Sequence, residues 1–138
     1  PDFDLPTCAQ WECLCRAGTT SYFNDGESTS VNDTNILNRV AWNLLNADAL
    51  YPVGQKEANL WGLYDTLGNT FEWCRDWDGT VTGNPPDPTG PVTGSQRVYM
   101  SQNRANPVSY YVPSKRFASS PTNRETLSRS FRVVRVLQ

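Results

Sequence analysis

The chain has 138 residues and a formal net charge of −2, enough for one domain with one core that buries roughly two thirds of its unfolded surface. Nine Gly, ten Pro and many Asn, Ser and Thr exclude a helical bundle and predict a loop-rich fold, in which five Trp, six Tyr and five Phe supply much of the buried area. No stretch approaches the ~20 apolar residues of a membrane span and no charged-then-apolar leader precedes the fold, so a soluble chain without membrane insertion is expected.

Thr7-Cys8-Ala9-Gln10 has the form of a capping box and predicts a helix from about Cys8 to Arg16, with Trp11 and Cys15 on one face and an end at Ala17-Gly18. Residues 24–35 are polar and turn-forming and predict an exposed loop. Ile36 to Leu45 has near-helical apolar spacing, interrupted by Asn38, Asn43 and Asn46; a short helix and coil both fit. Gly68-Asn69 favours positive φ and predicts a reversal. Phe71 to Trp77 then reads as a strand with aromatic and polar residues on opposing faces. Prolines and glycines make 79–94 a long irregular excursion. Arg97 to Met100 and Phe131 to Val136 read as strands, and no internal repeat is present.

The small net charge hides an asymmetry. Residues 1–96 hold thirteen acids and four bases, whereas residues 97–138 hold eight bases and one acid, Glu125. Arg97, Arg116, Arg124, Arg132 and Arg135 are spread along that segment, which predicts pairing with acids of the first part and no nucleic-acid partner.

The four cysteines fall at 8, 13, 15 and 74. A C-x-C step without a second pair does not make a zinc set, so mostly buried thiols are expected, with a Cys8–Cys74 bridge open. The chain has no histidine, so neither Ser-His-Asp nor Cys-His catalysis can be assembled, and no phosphate-binding glycine loop is present. Asp76 and Asp78 lie close, but such acids are more often solvated or salt-bridged than catalytic.

Asp65, Gly68, Thr70 and Glu72 place two carboxylates on either side of a bend that could aim backbone carbonyls between them. Hard oxygens suit calcium, which takes about six to eight of them in loose geometry. The same pattern also fits a turn whose acids face water or meet an arginine.

From Gly62 to Trp77 the pattern G-L-Y-D-x-x-G-N-x-x-E-W-x-x-D-W resembles the signature of the formylglycine-generating enzyme family, the sulfatase-modifying-factor domains with a variant C-type lectin fold. Leu5 to Glu12 continuing to Cys15-Arg16-Ala17-Gly18-Thr19-Thr20 is similar to a second family segment. Tyr51-Pro52-Val53-Gly54 resembles the P-V-G step, and Phe131-Arg132-Val133-Val134 the closing G-F-R strand, with Ser130 where glycine is usual. The resemblance implies an α+β, C-type lectin-like fold with little regular structure across residues 1–138 as one domain, in which family members usually carry a further stretch before the Leu-Pro-Thr motif. It also implies a calcium site at Asp65, Gly68, Thr70 and Glu72.

The family's oxidases bind copper through two cysteines in the C-terminal third, and soft copper(I) requires such thiolates. Residues 75–138 contain no cysteine, so no copper is expected. In some relatives the position of Cys15 joins a cysteine in that same region. The R-G-G-S-W element is missing, and Phe71 stands where catalytic relatives carry tryptophan.

Scaffold segments thus resemble the family while residues 97–131 depart from it. That stretch mixes Tyr99, Tyr110, Tyr111 and Phe117, which offer rigid contact area, with Ser101, Asn103, Asn106, Ser114 and Asn123, which offer adaptable hydrogen bonds, as evolved paratopes do. The layout resembles the variable proteins of diversity-generating retroelements. The expectation is a non-catalytic module that binds a protein or cell-surface ligand; the sequence leaves its compartment open, with secretion or surface display as one option. The alternatives are a formylglycine-generating oxidase and a structural part of a larger envelope assembly.

Overall fold

The computed structural model describes residues 2–81, 86, 88–123 and 129–136. Among these lie strand β1 (Asp2–Asp4), helices α1 (Cys8–Arg16) and α2 (Thr34–Val40), strands β2 (Phe71–Trp77) and β3 (Arg97–Met100), a 3-10 turn (Val108–Tyr110), and strands β4 (Phe117–Ser119), β5 (Arg129–Ser130) and β6 (Val134–Val136). The result is α+β and loop-rich, as expected.

Helix α1 starts where its capping box requires. Thr7 Oγ1 accepts from the Gln10 amide at 3.1 Å, and Gln10 Oε1 accepts from the Thr7 amide at 3.0 Å. Ala17 ends the helix in the left-handed region at φ 49°, followed by Gly18 at φ 84°. The buried face carries Cys8, Trp11 and Cys15. Residues 36–45 resolve the open choice in favour of a short helix that stops at Val40. The asparagines stop it: Asn43 Nδ2 and Asn46 Nδ2 donate to the Ala41 carbonyl, and Asn46 Oδ1 accepts from the Asn43 amide.

Four strands form a sheet in the order β4-β3-β2-β5, with β5 parallel to β2 and the other pairs antiparallel. A separate two-stranded ribbon pairs β1 with β6. Residues 131–136 therefore do not form one strand. The chain leaves β2 after Ser130 and joins β1 from Val134, and Arg132 turns inward between the two pieces.

Between α1, α2 and the inner face of the sheet lies one core of Cys8, Trp11, Cys15, Phe23, Leu37, Val40, Ala41, Leu67, Cys74, Val98, Met100 and Tyr111. The predicted exposed loop at 24–35 ends earlier, since Thr34 and Asn35 already belong to α2, and it is not exposed throughout. Asn24 and Ser28 are buried, because Asn24 Nδ2 donates to Thr66 Oγ1 at 2.7 Å and Ser28 Oγ accepts from the Phe23 amide at 2.8 Å.

Candidate functional site

The turn before β2 is fixed by backbone conformations that side chains resist. Asp65, Gly68 and Asn69 have φ of 53°, 82° and 59°. A Cβ on Gly68 would lie 2.3 Å from the Trp42 carbonyl oxygen, so glycine is required there for two reasons. Asn69 holds the turn to the P-V-G segment, its side chain accepting from the Tyr51 amide and donating to the Tyr51 carbonyl.

Aromatic residues and carboxylates of β2 take opposing faces as the alternation predicts, and the carboxylate face is the one turned into the core. Phe71, Trp73, Arg75 and Trp77 form the outer face, and Glu72, Cys74 and Asp76 the buried one. Both carboxylates are satisfied inside. Asp76 accepts from the Cys8 amide at the start of α1 and from the Gly90 amide, each at 2.8 Å. Glu72 accepts from Trp11 Nε1 at 2.6 Å, Arg132 Nε at 2.5 Å and Arg132 Nη2 at 2.7 Å. Arg132 Nη2 also donates to the Tyr64 and Asp65 carbonyls, both at 3.3 Å.

The four residues expected to hold calcium are thus brought to one turn, and Glu72 there meets an arginine. Three of the roughly four lone-pair positions of its carboxylate are taken, and its charge is balanced by Arg132. The Asp65 carboxylate accepts from the Gly54 amide through Oδ2. The Gly68 carbonyl already accepts from the Thr70 amide at 2.7 Å and from Ser101 Oγ at 3.5 Å, so what this turn offers a calcium ion is the Asp65 carboxylate, one Glu72 position and the Thr70 carbonyl, a weak donor set.

The residues expected to contact a ligand separate into two groups. Tyr99, Phe117 and Tyr110 meet on the outer face. The Tyr99 and Phe117 rings stack at 5.5 Å, Tyr110 lies 6.1 Å from Phe117, and Phe71 joins edge-on to Tyr99 and Phe117 at 4.9 and 5.1 Å. Ser114 is exposed beside them in sequence, and Asn123 closes a turn whose amide donates to the Ser120 carbonyl. Asn103 and Asn106 shape another turn, Asn106 Oδ1 accepting from the Asn103 amide.

Tyr111 and Ser101 do not belong to that surface. Tyr111 is wholly buried, its hydroxyl donating to the Asn103 carbonyl at 2.8 Å, and burial raises its pKa. Ser101 is wholly buried at a left-handed φ of 64°. Both pack inward because the chain reverses directly after β3.

Sequence reasoning missed the cations of the outer face. Lys115 Nζ lies 4.4 Å from the Tyr110 ring centre, the Arg129 guanidinium 4.8 Å from Tyr99 and 5.3 Å from Trp73, and the Arg97 guanidinium 3.6 Å from Trp77. Beside them an open cleft of about 350 Å³ is lined by Asp4, Leu5, Trp73, Arg75, Arg97 and Pro121. Of the arginines expected to pair with acids, Arg132 meets Glu72 and Arg116 meets Asp78 at 4.0 Å. Arg97 instead donates to the Arg75 carbonyl. Arg124 lies outside the described residues.

All four cysteines are free thiols, with Cys8, Cys15 and Cys74 buried and Cys13 exposed. Burial pushes the Cys15 thiol up to about 12. The Cys74 thiol is raised further, first by its hydrogen bond with Cys8 and then by burial. Cys8 and Cys74 therefore sit side by side, unbridged.

A capped helix packed on a short curled sheet, with irregular loops beyond β3, is the C-type lectin-like architecture of formylglycine-generating enzymes. The chain belongs to the sulfatase-modifying factor enzyme 1-like domain family, whose model matches residues 2–137. It is similar to the formylglycine-generating enzyme of Streptomyces coelicolor, 30% identical over 125 residues that take in 68% of this chain and 33% of the relative. It is 32% identical over 100 residues to the serine/threonine-protein kinase pkn1 of Chlamydia pneumoniae, covering 68% of this chain and 15% of that protein. Among solved structures it is similar to Treponema denticola variable protein 1, with a TM-score of 0.82, 33% identity, and coverage of 95% of this chain and 46% of that one. PvdO from Pseudomonas aeruginosa shares the fold with a TM-score of 0.77 at 21% identity, over 95% of this chain and 51% of that one. The chain thus spans about half the length of these solved relatives and a third or less of the curated ones named above.

Proposed function

We propose that this chain is a non-catalytic module that binds a protein or cell-surface ligand through the outer face of β3 and β4, the 3-10 turn and the flanking loops. The observation that carries the proposal is the aromatic cluster in which Phe117 and Tyr110 stay half-exposed over the buried Tyr99, with Ser114 exposed in the loop between Tyr110 and Phe117. Rigid rings rimmed by short polar side chains suit recognition at low entropic cost. Similarity to a variable protein supports the reading, because the sequence itself resembles variable proteins of diversity-generating retroelements. None of the described helices is long and apolar enough to cross a membrane.

A calcium-steadied turn at Asp65, Gly68, Thr70 and Glu72 is the structural part of the proposal. A bound ion there would cross-link the oxygens of one turn and supply no chemistry to a ligand.

Comparison of sibling sequences from one genome tests the binding role. Substitutions concentrated between Tyr99 and Ser128 support it, and uniform drift along the chain overturns it. The second reading is a formylglycine-generating oxidase, favoured by the similarity to the Streptomyces enzyme. It needs a pair of thiols at the ligand face, whereas the cysteines of this chain lie on α1 and the inner side of β2. Stoichiometric copper(I) uptake with turnover of a cysteine peptide would establish the oxidase and remove the binding module.

A further inference from the structure

We infer that Cys8 and Cys74 are a redox pair, which a small-molecule disulfide converts into a covalent staple between the first turn of α1 and the inner face of β2. Cys8 opens the helix, Cys74 lies in the middle of the strand, and both belong to the same buried core. Two anchors hold them in register. The Arg75 amide donates to the Pro6 carbonyl at 2.9 Å, and the Cys8 amide donates to Asp76 Oδ2 at 2.8 Å. These bonds bracket the two cysteines, whose thiols share a hydrogen bond. The stretches that a bridge would join are therefore already tied together, as a disulfide with its narrow geometry requires.

The other pairings of Cys8 are closed by geometry. Cys15 lies seven residues further along α1, a rise of about 10 Å, whereas a disulfide spans at most about 7 Å between Cα atoms. Its thiol instead donates to the Thr66 carbonyl at 3.6 Å. Cys13 is on the helix face turned away from the core, where it lines an open cleft of about 690 Å³ with Leu14 and Val134.

The reaction is thiol–disulfide exchange, and a low-molecular-weight disulfide such as oxidised glutathione closes its balance. Cys8 is 8% exposed and Cys74 1%, so Cys8 is the thiol a small oxidant reaches first. Its thiolate attacks one sulfur of the oxidant, breaking the S–S bond and releasing one small thiol. Cys74 then loses its proton and attacks the Cys8 sulfur, which forms the internal bond and expels the second small thiol. Two cysteine thiols are oxidised, one small disulfide is reduced, and the two cysteine protons end on the two thiols released. The long loop that the bond closes restricts the unfolded chain, so the oxidised form should resist unfolding more than the reduced one.

The full 138-residue chain, unfolded and reduced, is refolded in a mixture of oxidised and reduced glutathione, and free thiols are then alkylated. Digestion after glutamate separates Cys8 from Cys13 and Cys15, because Glu12 lies between them, and mass spectrometry identifies the linked peptides. A link between the peptides of Cys8 and Cys74 is expected, with a Tm at least about 5 °C above the same sample treated with dithiothreitol. Cys13→Ser should keep that shift, and Cys8→Ala and Cys74→Ala should each abolish it, with circular dichroism verifying the fold of every variant. Recovery of Cys74 as an alkylated thiol throughout, or its linkage to Cys13 or Cys15, overturns the inference. A bridged form that melts no higher than the reduced one overturns it as well. Because the peptide map is read on the parent chain, the pairing is decided even where an alanine variant does not fold.

Discussion

Glu72 and Arg132, 60 positions apart, form a two-point ion pair in which Nε donates to Oε2 at 2.5 Å and Nη2 donates to Oε1 at 2.7 Å. Trp11 from α1 and the carbonyls of Tyr64 and Asp65 meet the same pair, so one contact ties the helix, the turn, β2 and the closing segment together. Burial alone would lower the Arg132 pKa, but the bond and charge of Glu72, with the charge of Asp65, raise it.

Removing one partner of this pair should cost more than removing both. Arg132→Met leaves Glu72 buried with Trp11 alone and should destabilise by about 3 kcal/mol, within the range for broken buried pairs. Glu72→Gln should cost less, about 1–2 kcal/mol, because Arg132 retains its two carbonyl acceptors and some exposure. Urea unfolding of both single variants and the double variant checks this. Additive losses would show that the two residues are not coupled.

Gly68→Ala is expected to lose at least about 2 kcal/mol, since a left-handed φ and a backbone clash act together. The Trp42 carbonyl cannot retreat cheaply, because it accepts from the Asn69 amide at 2.9 Å and Trp42 bridges Gly68. A melting temperature within a degree of the parent would refute this account of the turn.

The parts of this fold that local chemistry decides are legible in the sequence. The α1 cap lies within four residues, Gly68-Asn69 announces its own reversal, and β2 and β3 carry strand residues. The two faces of β2 are legible but not which of them is buried, because what brings Glu72 and Asp76 inside is an arginine 60 residues later and a helix amide 68 residues earlier. Tyr111 read as surface for the same reason, as its burial depends on the reversal after Met100. Neither did spacing reveal Lys115 beside Tyr110 and Phe117, since the loop between them sets that approach. The family resemblance carried the fold where periodicity could not.

Calcium should stabilise the chain only modestly. With Glu72 balanced by Arg132, the turn keeps little net negative charge, which places affinity near the ~1 mM of weak extracellular sites. At ten times that concentration, linkage gives about 1.4 kcal/mol, a rise of a few degrees in Tm relative to chelator for a domain of this size. Asp65→Asn should reduce the response. Identical melting of the parent in chelator and in 10 mM calcium would remove the site.

Alkaline pH should destabilise the fold through Cys15. The folded thiol ionises near 12, whereas in the unfolded chain a cysteine ionises near its ordinary ~8.5. Between those values the unfolded state has lost the proton and the native state keeps it. Stability from this group is therefore complete below about pH 8.5 and falls by up to about 1.4 kcal/mol per pH unit above it. Urea unfolding at pH 8 and pH 10 should show the loss, and Cys15→Ala should flatten the slope. The same burial predicts that Ellman's reagent labels Cys13 in the native protein at pH 8 while Cys15 and Cys74 react only after unfolding. Rapid native labelling that persists in Cys13→Ser would show that the inner thiols are open to solvent.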